Sequence, residues 1–347
     1  MNEPLALLLN DIHVHKDNIS DFKINWDEML DVCKKQGISD VVLGGDLWTA
    51  RSSQTLSTLL SVKSAIEKAI QNDLFLVIAP GNHCKVNLED FESYSHLFKN
   101  VYKNVQVVDD YEILYWEDCN FVLLVVAYFP ETGTLLKVLD DAVNECFEKY
   151  PEVVKSKQDI VLYCHAGIHG ALGNMDIPGE APQEPFMGFK KVLVAHYHNR
   201  CKIKNTPIEY IGSSRPHTFG EDDDKGYTIL YSDGSTEFIQ NQVNVRYKTF
   251  VLNADRLDDF ELKKDSRYKY KVQVNCTEKQ TKLFDKQKWI EKGFDKVEVI
   301  AQSAEETSAD ASAITEKYDK LGIKKEYQNY CDEKSIDSRL GIKYLEG

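Results

Sequence analysis

A chain of 347 residues with 42 % hydrophobic and 28 % charged side chains holds one large catalytic unit plus an appendage and has enough apolar content to fold, which excludes disorder throughout. Its formal net charge of −14 is the wrong sign for gripping a polyanion unaided, because phosphate contacts require clustered Lys and Arg. The longest apolar run, Phe121 to Phe129, is about half of what a membrane-spanning helix requires, and no secretory signal opens the chain, so the expectation is a soluble, cytoplasmic protein with no membrane partner.

The first two-thirds of the chain repeats a short apolar run, a polar loop and a segment of helical spacing, which is the pattern of an α/β layered fold. Leu5 to Leu9, Val41 to Leu43, Leu74 to Ile78, Phe121 to Val126, Ile160 to Tyr163 and Val192 to Val194 are predicted buried strands. Trp26 to Lys35, Leu56 to Ile70 and Leu135 to Phe147 space their apolar residues three and four apart, as amphipathic helices do. From Pro207 the strands Ile208 to Ile211 and Tyr227 to Tyr231 follow without long helices, which predicts antiparallel pairing. The acidic run Glu221 to Asp224 reads as a solvated loop.

Near Asn244 to Arg256 the pattern changes. Tyr268 to Val274, Lys279 to Ile290 and Val297 to Ile300 read strand, helix, strand. The predicted organisation is a catalytic domain over 1–248, a small α+β domain over 249–302, and a linker with C-terminal amphipathic helices over 303–347. Eight cysteines include no CxxC pair, so neither a zinc knuckle nor a disulfide framework is suggested, and a reducing compartment fits best.

Residues able to hold metal fall at or just past the carboxyl ends of predicted strands, where open α/β sheets assemble their sites. Asp11 and His13 alternate along an extended segment and offer a carboxylate and an imidazole to one ion. Asp46 follows Gly44 and Gly45, and its two oxygens can bridge two cations. Pro80-Gly81-Asn82-His83 supplies an amide oxygen beside an imidazole suited to general acid work. His165 stands in Cys164-His165-Ala166-Gly167, and His196 and His198 flank Tyr197. One such histidine alone is more often a packed core residue; five motifs in register reverse that. His15, His96, His169 and His217 lack that support and read as structural, Trp48 and Tyr197 as packing, and Cys164 as a small buried hydrophobe.

The order Asp-x-His, Gly-Asp, Gly-Asn-His, His, His-x-His resembles the calcineurin-like metallophosphoesterase superfamily. Tyr210-Ile211-Gly212-Ser213-Ser214-Arg215-Pro216, with Phe219-Gly220-Glu221 and Lys225-Gly226-Tyr227, is similar to the segment closing the catalytic domain in SbcD-type nuclease subunits of DNA repair and recombination. The resemblance covers roughly residues 5 to 245. It implies a four-layer sandwich: two central mixed sheets flanked by helices, with the small α+β domain as a cap. It also implies two divalent ions, manganese by preference with iron or magnesium as alternatives. One would take Asp11, His13, Asp46 and His198; the other Asp46, Asn82, His165 and His196. His83 would contact the scissile phosphate and protonate the leaving oxygen. The implied activity is a manganese-dependent DNA exonuclease, with endonuclease activity as a further capacity, in a homodimer within a heterotetramer. Its partner would be an SMC-like coiled-coil ATPase of SbcC type, docked on the C-terminal helices. A phosphoesterase for nucleotides or other small esters, and a weakly active metal-binding scaffold, are the rival readings.

Three positions depart from the family pattern. Cys84 follows His83 where an acid usually orients the histidine, which leaves Asp90 and Glu92 as substitutes; Ala195 replaces a glycine; and Thr49 stands where a second phosphate-contacting histidine is usual. Arg51 reads as a solvated arginine near that place.

Overall fold

The computed structural model describes residues 2–302, except 174, 176, 255–256 and 258–259, together with Cys331. The described residues divide into two compact units, one within 2–248 with 265–269 and one within 249–264 with 270–302.

In the first unit, β1 (Pro4–Leu9), α1 (Ile19–Gln36), β2 (Asp40–Leu43), α2 (Leu56–Gln71) and β3 (Phe75–Ile78) form successive βαβ crossovers. Their strands pair in parallel with Leu9 beside Leu43 and Leu43 beside Ile78, so all three carboxyl ends finish level. There follow β4 (Val105–Val107), β5 (Tyr111–Trp116), β6 (Phe121–Val126), α3 (Thr134–Lys149), β7 (Ile160–His165), β8 (Lys191–Ala195), β9 (Cys201–Lys202), β10 (Ile208–Tyr210), β11 (Gly226–Tyr231) and β12 (Thr236–Gln240). They complete two six-stranded mixed sheets, ordered β12-β11-β1-β2-β3-β4 and β5-β6-β7-β8-β10-β9.

The period of two along β1 decides the layering. Ala6 and Leu8 join the cluster that contains the second sheet and α3, whereas Leu7 and Leu9 join the cluster of Phe22, Trp26 and Met29 from α1 and Val62 and Ile66 from α2. Both faces of the strand are therefore buried, which is why it is a continuous apolar run. The result is four layers, helix, sheet, sheet, helix. Gly37 ends α1 in the left-handed conformation at φ 69°, and Thr55 caps α2 by accepting from the Thr58 N–H.

Three sequence readings are corrected. β10 runs parallel to β8, with Ile208 beside Val192, and antiparallel only to β9. The chain leaves β8 for the sheet edge at β9 and turns back between them, a route that strand spacing does not encode. The helix expected over Lys279 to Ile290 is two helices, α4 (Glu278–Leu283) and α5 (Lys286–Glu291), because the Asp285 carboxylate accepts from the N–H groups of Gln287 and Lys288 and starts a new helix. Strands β4 and β5 were not expected; β5 has every residue half-buried and thus no alternation to read.

β13 (Arg246–Asn253), β14 (Tyr268–Thr277) and β15 (Lys296–Gln302) form a sheet in that order, β14 and β15 being parallel, and most of its residues belong to the second unit. Phe250, Phe260, Tyr270, Trp289 and Phe294 pack as an aromatic core. The linker and terminal helices expected over 303–347 lie outside the described residues, apart from Cys331. Among the described residues no helix is long and apolar enough to cross a membrane.

Lys85 is buried at 0 % exposure, with its ammonium donating to the Tyr128 carbonyl at 2.6 Å and lying 3.7 Å from the Phe129 ring centre. Desolvation pushes its pKa down from 10.5 to about 8. Between those values the unfolded chain keeps a proton that the native chain has released, so stability rises with pH through that window. The expected outcome in urea titrations is a midpoint that climbs from pH 8 to pH 10 (about those values, from the shift) in the parent and climbs less in Lys85→Met.

Candidate metal centre

The predicted ligands are carried to one place by the level strand ends. Asp11 and His13 follow β1, Asp46 follows β2, Asn82 and His83 follow β3, His165 ends β7, and His196 and His198 follow β8. Three strands come from one sheet and two from the other, so the centre lies where their carboxyl edges meet. The β1–β2 ladder continues past the strands, with the Asp11 N–H donating to Gly45 O and the His13 N–H to Asp46 O.

Four of these residues occupy backbone conformations that side chains seldom adopt: Asp11 and His13 at φ 51°, Asp46 at φ 49° and His196 at φ 102°. Asp11 and Asp46 are of the type that tolerates this region, as are the other described non-glycine residues there, Asp73, Asn100, Asn120 and Asn205, so the departures are His13 and His196. Two neighbouring glycines are required by contact. A Cβ on Gly45 would stand 2.2 Å from His165 Nδ1, and one on Gly81 would stand 2.2 Å from Asp46 Oδ1 and 2.5 Å from Asp46 N.

Asp46 is held by one oxygen and free at the other. Its Oδ1 accepts the His83 N–H at 2.8 Å, and its Oδ2 lies 3.7 Å from His13 Nε2 and 3.5 Å from His165 Nε2. This oxygen stands between the two groups of imidazoles. Burial, then the charge of Asp11, raises the Asp46 pKa well above the usual carboxylate range. Asp11 is fully buried; its Oδ2 accepts from Asn10 and from the His196 N–H, while Oδ1 has no hydrogen-bond partner.

Ring nitrogens face one another without a shared proton donor being needed elsewhere: His13 Nε2 is 3.1 Å from His198 Nε2, and His165 Nε2 is 3.3 Å from His196 Nδ1. Desolvation, then neighbouring imidazoles, lowers the pKa of His13 and of His165 well below the ordinary histidine value, so both present lone pairs. Burial also works against the charged form of His198, but the Glu221 carboxylate and Asp11 outweigh it and raise its pKa. Asn82 Oδ1 is 3.0 Å from His165 Nε2 and 3.1 Å from Asp46 Oδ2, a third acceptor among acceptors, while its amide nitrogen is 2.6 Å from Arg51 Nη2. Turning that amide over satisfies all three contacts by hydrogen bonding; for the oxygen to face a cation instead, Arg51 would have to move away from the amide nitrogen.

A partnerless buried carboxylate oxygen and converging lone pairs are what divalent cations neutralise, and the donor set of carboxylate, amide and imidazole without thiolate fits such ions. Asp11, His13 and His198 can share one ion, and Asp11, Asp46 and His165 another, their ligand atoms lying within 4.8 Å of each other in each group. Asp11 belongs to both groups. His196 Nδ1 and Asn82 Oδ1 stand beside the second, 3.3 Å and 3.0 Å from His165 Nε2.

His83 is not buried among these ligands. Its ring stands edge-on to that of His13 with centres 5.0 Å apart, and its Nδ1 donates to Thr49 O at 2.7 Å. The group that orients it is therefore a backbone carbonyl, and neither Asp90 nor Glu92, which border a separate surface hollow with Ser93 and Tyr94. Cys84 points into the core, where burial pushes its thiol up to about 12 and keeps it neutral.

Other neighbours were missed in the sequence. Glu221, read as part of a solvated run, has a side chain only 10 % exposed and meets His198 Nδ1 at 2.9 Å. His217, read as structural, donates from Nε2 to Asp11 O at 2.7 Å and lies 4.8 Å from His198, ring to ring. Arg215 donates to the carbonyls of Ile12 and His13 and so fixes the first loop. Tyr163 donates to Asn10, which in turn donates to Asp11. A chain of long-range contacts has no local signature; the only sequence signal was the Gly-Ser-Ser-Arg and Phe-Gly-Glu stretch. Arg51 faces the Asn82 amide, nearer the centre than its solvated reading implied. A cleft of about 500 Å³ opens over His13, His83, His198 and His217 and extends to Tyr247 and Lys269, with Asp17 and Asp21 on its wall.

No family model and no curated protein matches this chain. Among solved structures, the crystal structure of Pseudomonas putida nuclease MPE is similar at 13 % identity and a TM-score of 0.30, over 65 % of this chain and 84 % of that one. A likeness at that score has no weight for fold or activity.

Gly81→Ala drives a methyl group against Asp46. The expected outcome is a fold destabilised by about 1–3 kcal/mol, as overpacking costs, and a thermal midpoint that no longer rises when manganese is added, as compared by paired melts with the parent.

Proposed function

We propose that this chain is a two-metal phosphodiesterase whose substrate is DNA. The observation that carries the reading is the meeting of Asp11, Asp46, Asn82 and four imidazoles, with an orphaned buried carboxylate oxygen of Asp11 3.9 Å from His13. The proposed ligands are Asp11, His13, Asp46 and His198 for one ion and Asp46, Asn82, His165 and His196 for the other, manganese being the best match to mixed oxygen and imidazole donors. Divalent ions held by these residues would supply charge neutralisation for in-line displacement at phosphorus.

The chain's own groups do the rest. His83, locked by Thr49 O with Nδ1 as donor, presents Nε2 to the cleft and delivers a proton to the leaving oxygen. Thr49 offers no imidazole for the phosphate, so His83 and the cleft histidines carry that contact. The cleft has room for a nucleotide, with Lys269 to meet an adjacent phosphate and Tyr247 to meet a base. The net charge of −14 suits a catalytic subunit whose basic DNA-binding surface belongs to a partner, for which we propose an SMC-like coiled-coil ATPase in an assembly with paired nuclease subunits. Asp17 and Asp21 in the cleft favour a second reading, hydrolysis of small phosphoesters, which a comparison of oligonucleotide and mononucleotide substrates separates.

His83→Ala is expected to lower kcat on a phosphodiester by about 10²–10⁴-fold, the usual contribution of a positioned general acid, and to keep the manganese-induced rise in thermal midpoint. Asp46→Ala is expected to lose both. Full turnover by His83→Ala, or a parent chain that neither gains stability with manganese nor cleaves any diester, would reject the reading.

A further inference from the structure

The two halves of the centre are braced by different chemistry, and we infer that they bind cations unequally: the half with His13 and His198 is the tighter, and Glu221 is the positioning residue that makes it so. This rests on the two-ion reading above. His198 Nδ1 meets Glu221 Oε1 at 2.9 Å, which fixes the Nδ1–H tautomer and turns Nε2 inward, 3.1 Å from His13 Nε2. A carboxylate on the far ring nitrogen makes the near one a more basic ligand than a neutral carbonyl does.

Glu221 is itself anchored. Its Oε2 accepts the His217 N–H at 3.0 Å, and its side chain is 10 % exposed. Lys225, fully buried, stands 3.8 Å from Glu221 but gives its close contacts to His198 O, Asn199 and Asp222 at 2.7, 2.8 and 3.0 Å, so it neutralises Glu221 only in part.

The other half has no such support. His165 Nδ1 faces the neutral Gly44 O at 3.1 Å, Asn82 is uncharged, and the Arg51 guanidinium lies 2.6 Å from the outer atom of the Asn82 amide. A cation beside a cation site weakens it. Glu131, the acid on that side, spends its oxygens on the Gly167 N–H and the Tyr128 hydroxyl, both at 3.1 Å. Arg215 opposes the trend from the His13 side, but it lies behind the loop, on the carbonyls of Ile12 and His13. Asp46 is assigned to both halves and does not discriminate, whereas Asp11 is assigned to the His198 half and adds a charge there. The ions therefore load in order, the His198 half first.

Calorimetric titration of the full chain with manganese chloride tests this. The parent is expected to show two classes of site at least tenfold apart. Glu221→Ala is expected to weaken the tight class by about 10–100-fold, the usual effect of losing a ligand's orienting partner, and to leave the weak class in place; Glu221→Gln, which keeps an oxygen for Nδ1–H without the charge, falls between. Equal classes in the parent, or a loss confined to the weak class, overturns the ordering alone, and no manganese uptake at all overturns both it and the two-ion reading. Two-bond ¹H–¹⁵N spectra of the metal-free parent and Glu221→Gln judge the positioning role without any ion: the Nδ1–H tautomer of His198 in the parent supports it, and the Nε2–H tautomer overturns it.

Discussion

The constraint on which the centre depends is the crowding of electron-rich atoms at the floor of a cleft, with Asp11, Asp46 and His165 buried beneath it. Asp11 and Asp46 bring two carboxylates within a single buried group with His165, and His13 and His198 add lone pairs from the side. Burying such groups without a counter-charge costs several kcal/mol each. The sandwich must hold them together against that cost, and the raised pKa of Asp46, from burial and then from Asp11, records the strain. A cation among these atoms would turn that unfavourable crowding into favourable contacts.

What resists the repulsion is backbone. Parallel register sets Leu9, Leu43 and Ile78 level, and the apolar alternation of β1 clamps that edge between α1 and α2 on one side and the second sheet on the other. The loops past the strands then turn through left-handed conformations at Asp11, His13, Asp46 and His196, which cost on the order of 1–3 kcal/mol at the two histidines and less at the two aspartates. Buried hydrogen bonds from Arg215, Asn10 and Tyr163 hold those turns shut. Stability in the core is thereby used to keep a geometry that the loops alone would not choose.

The division of labour among the histidines follows from what each meets on its far nitrogen. A ring backed by a carbonyl, as His165 is by Gly44 and His83 by Thr49, is oriented by a neutral group; a ring backed by a carboxylate, as His198 is by Glu221, is oriented and made a stronger donor to a cation. Burial separates ligand from acid: His165 is wholly enclosed, whereas His83 borders the open cleft.

The sequence by itself determined the layered α/β class and the six principal strands of the first unit, because a strand buried on both faces must be an unbroken apolar run, and it placed Asp11, Asp46, Asn82 and His165 past strand ends because loops there carry Gly, Asn, Asp and His for reasons of backbone and chemistry. It could not reveal that β10 lies parallel to β8, since pairing direction depends on the route of the connection, nor that Asp285 splits a helix whose apolar spacing runs through. Only the tertiary structure decided that Glu221 is the partner of His198 rather than one more solvated acid, that Thr49 orients His83 through its carbonyl, and that Cys84 faces the core. Contacts between residues far apart in the chain are set by how whole sheets stack, and a backbone carbonyl has no letter in the sequence.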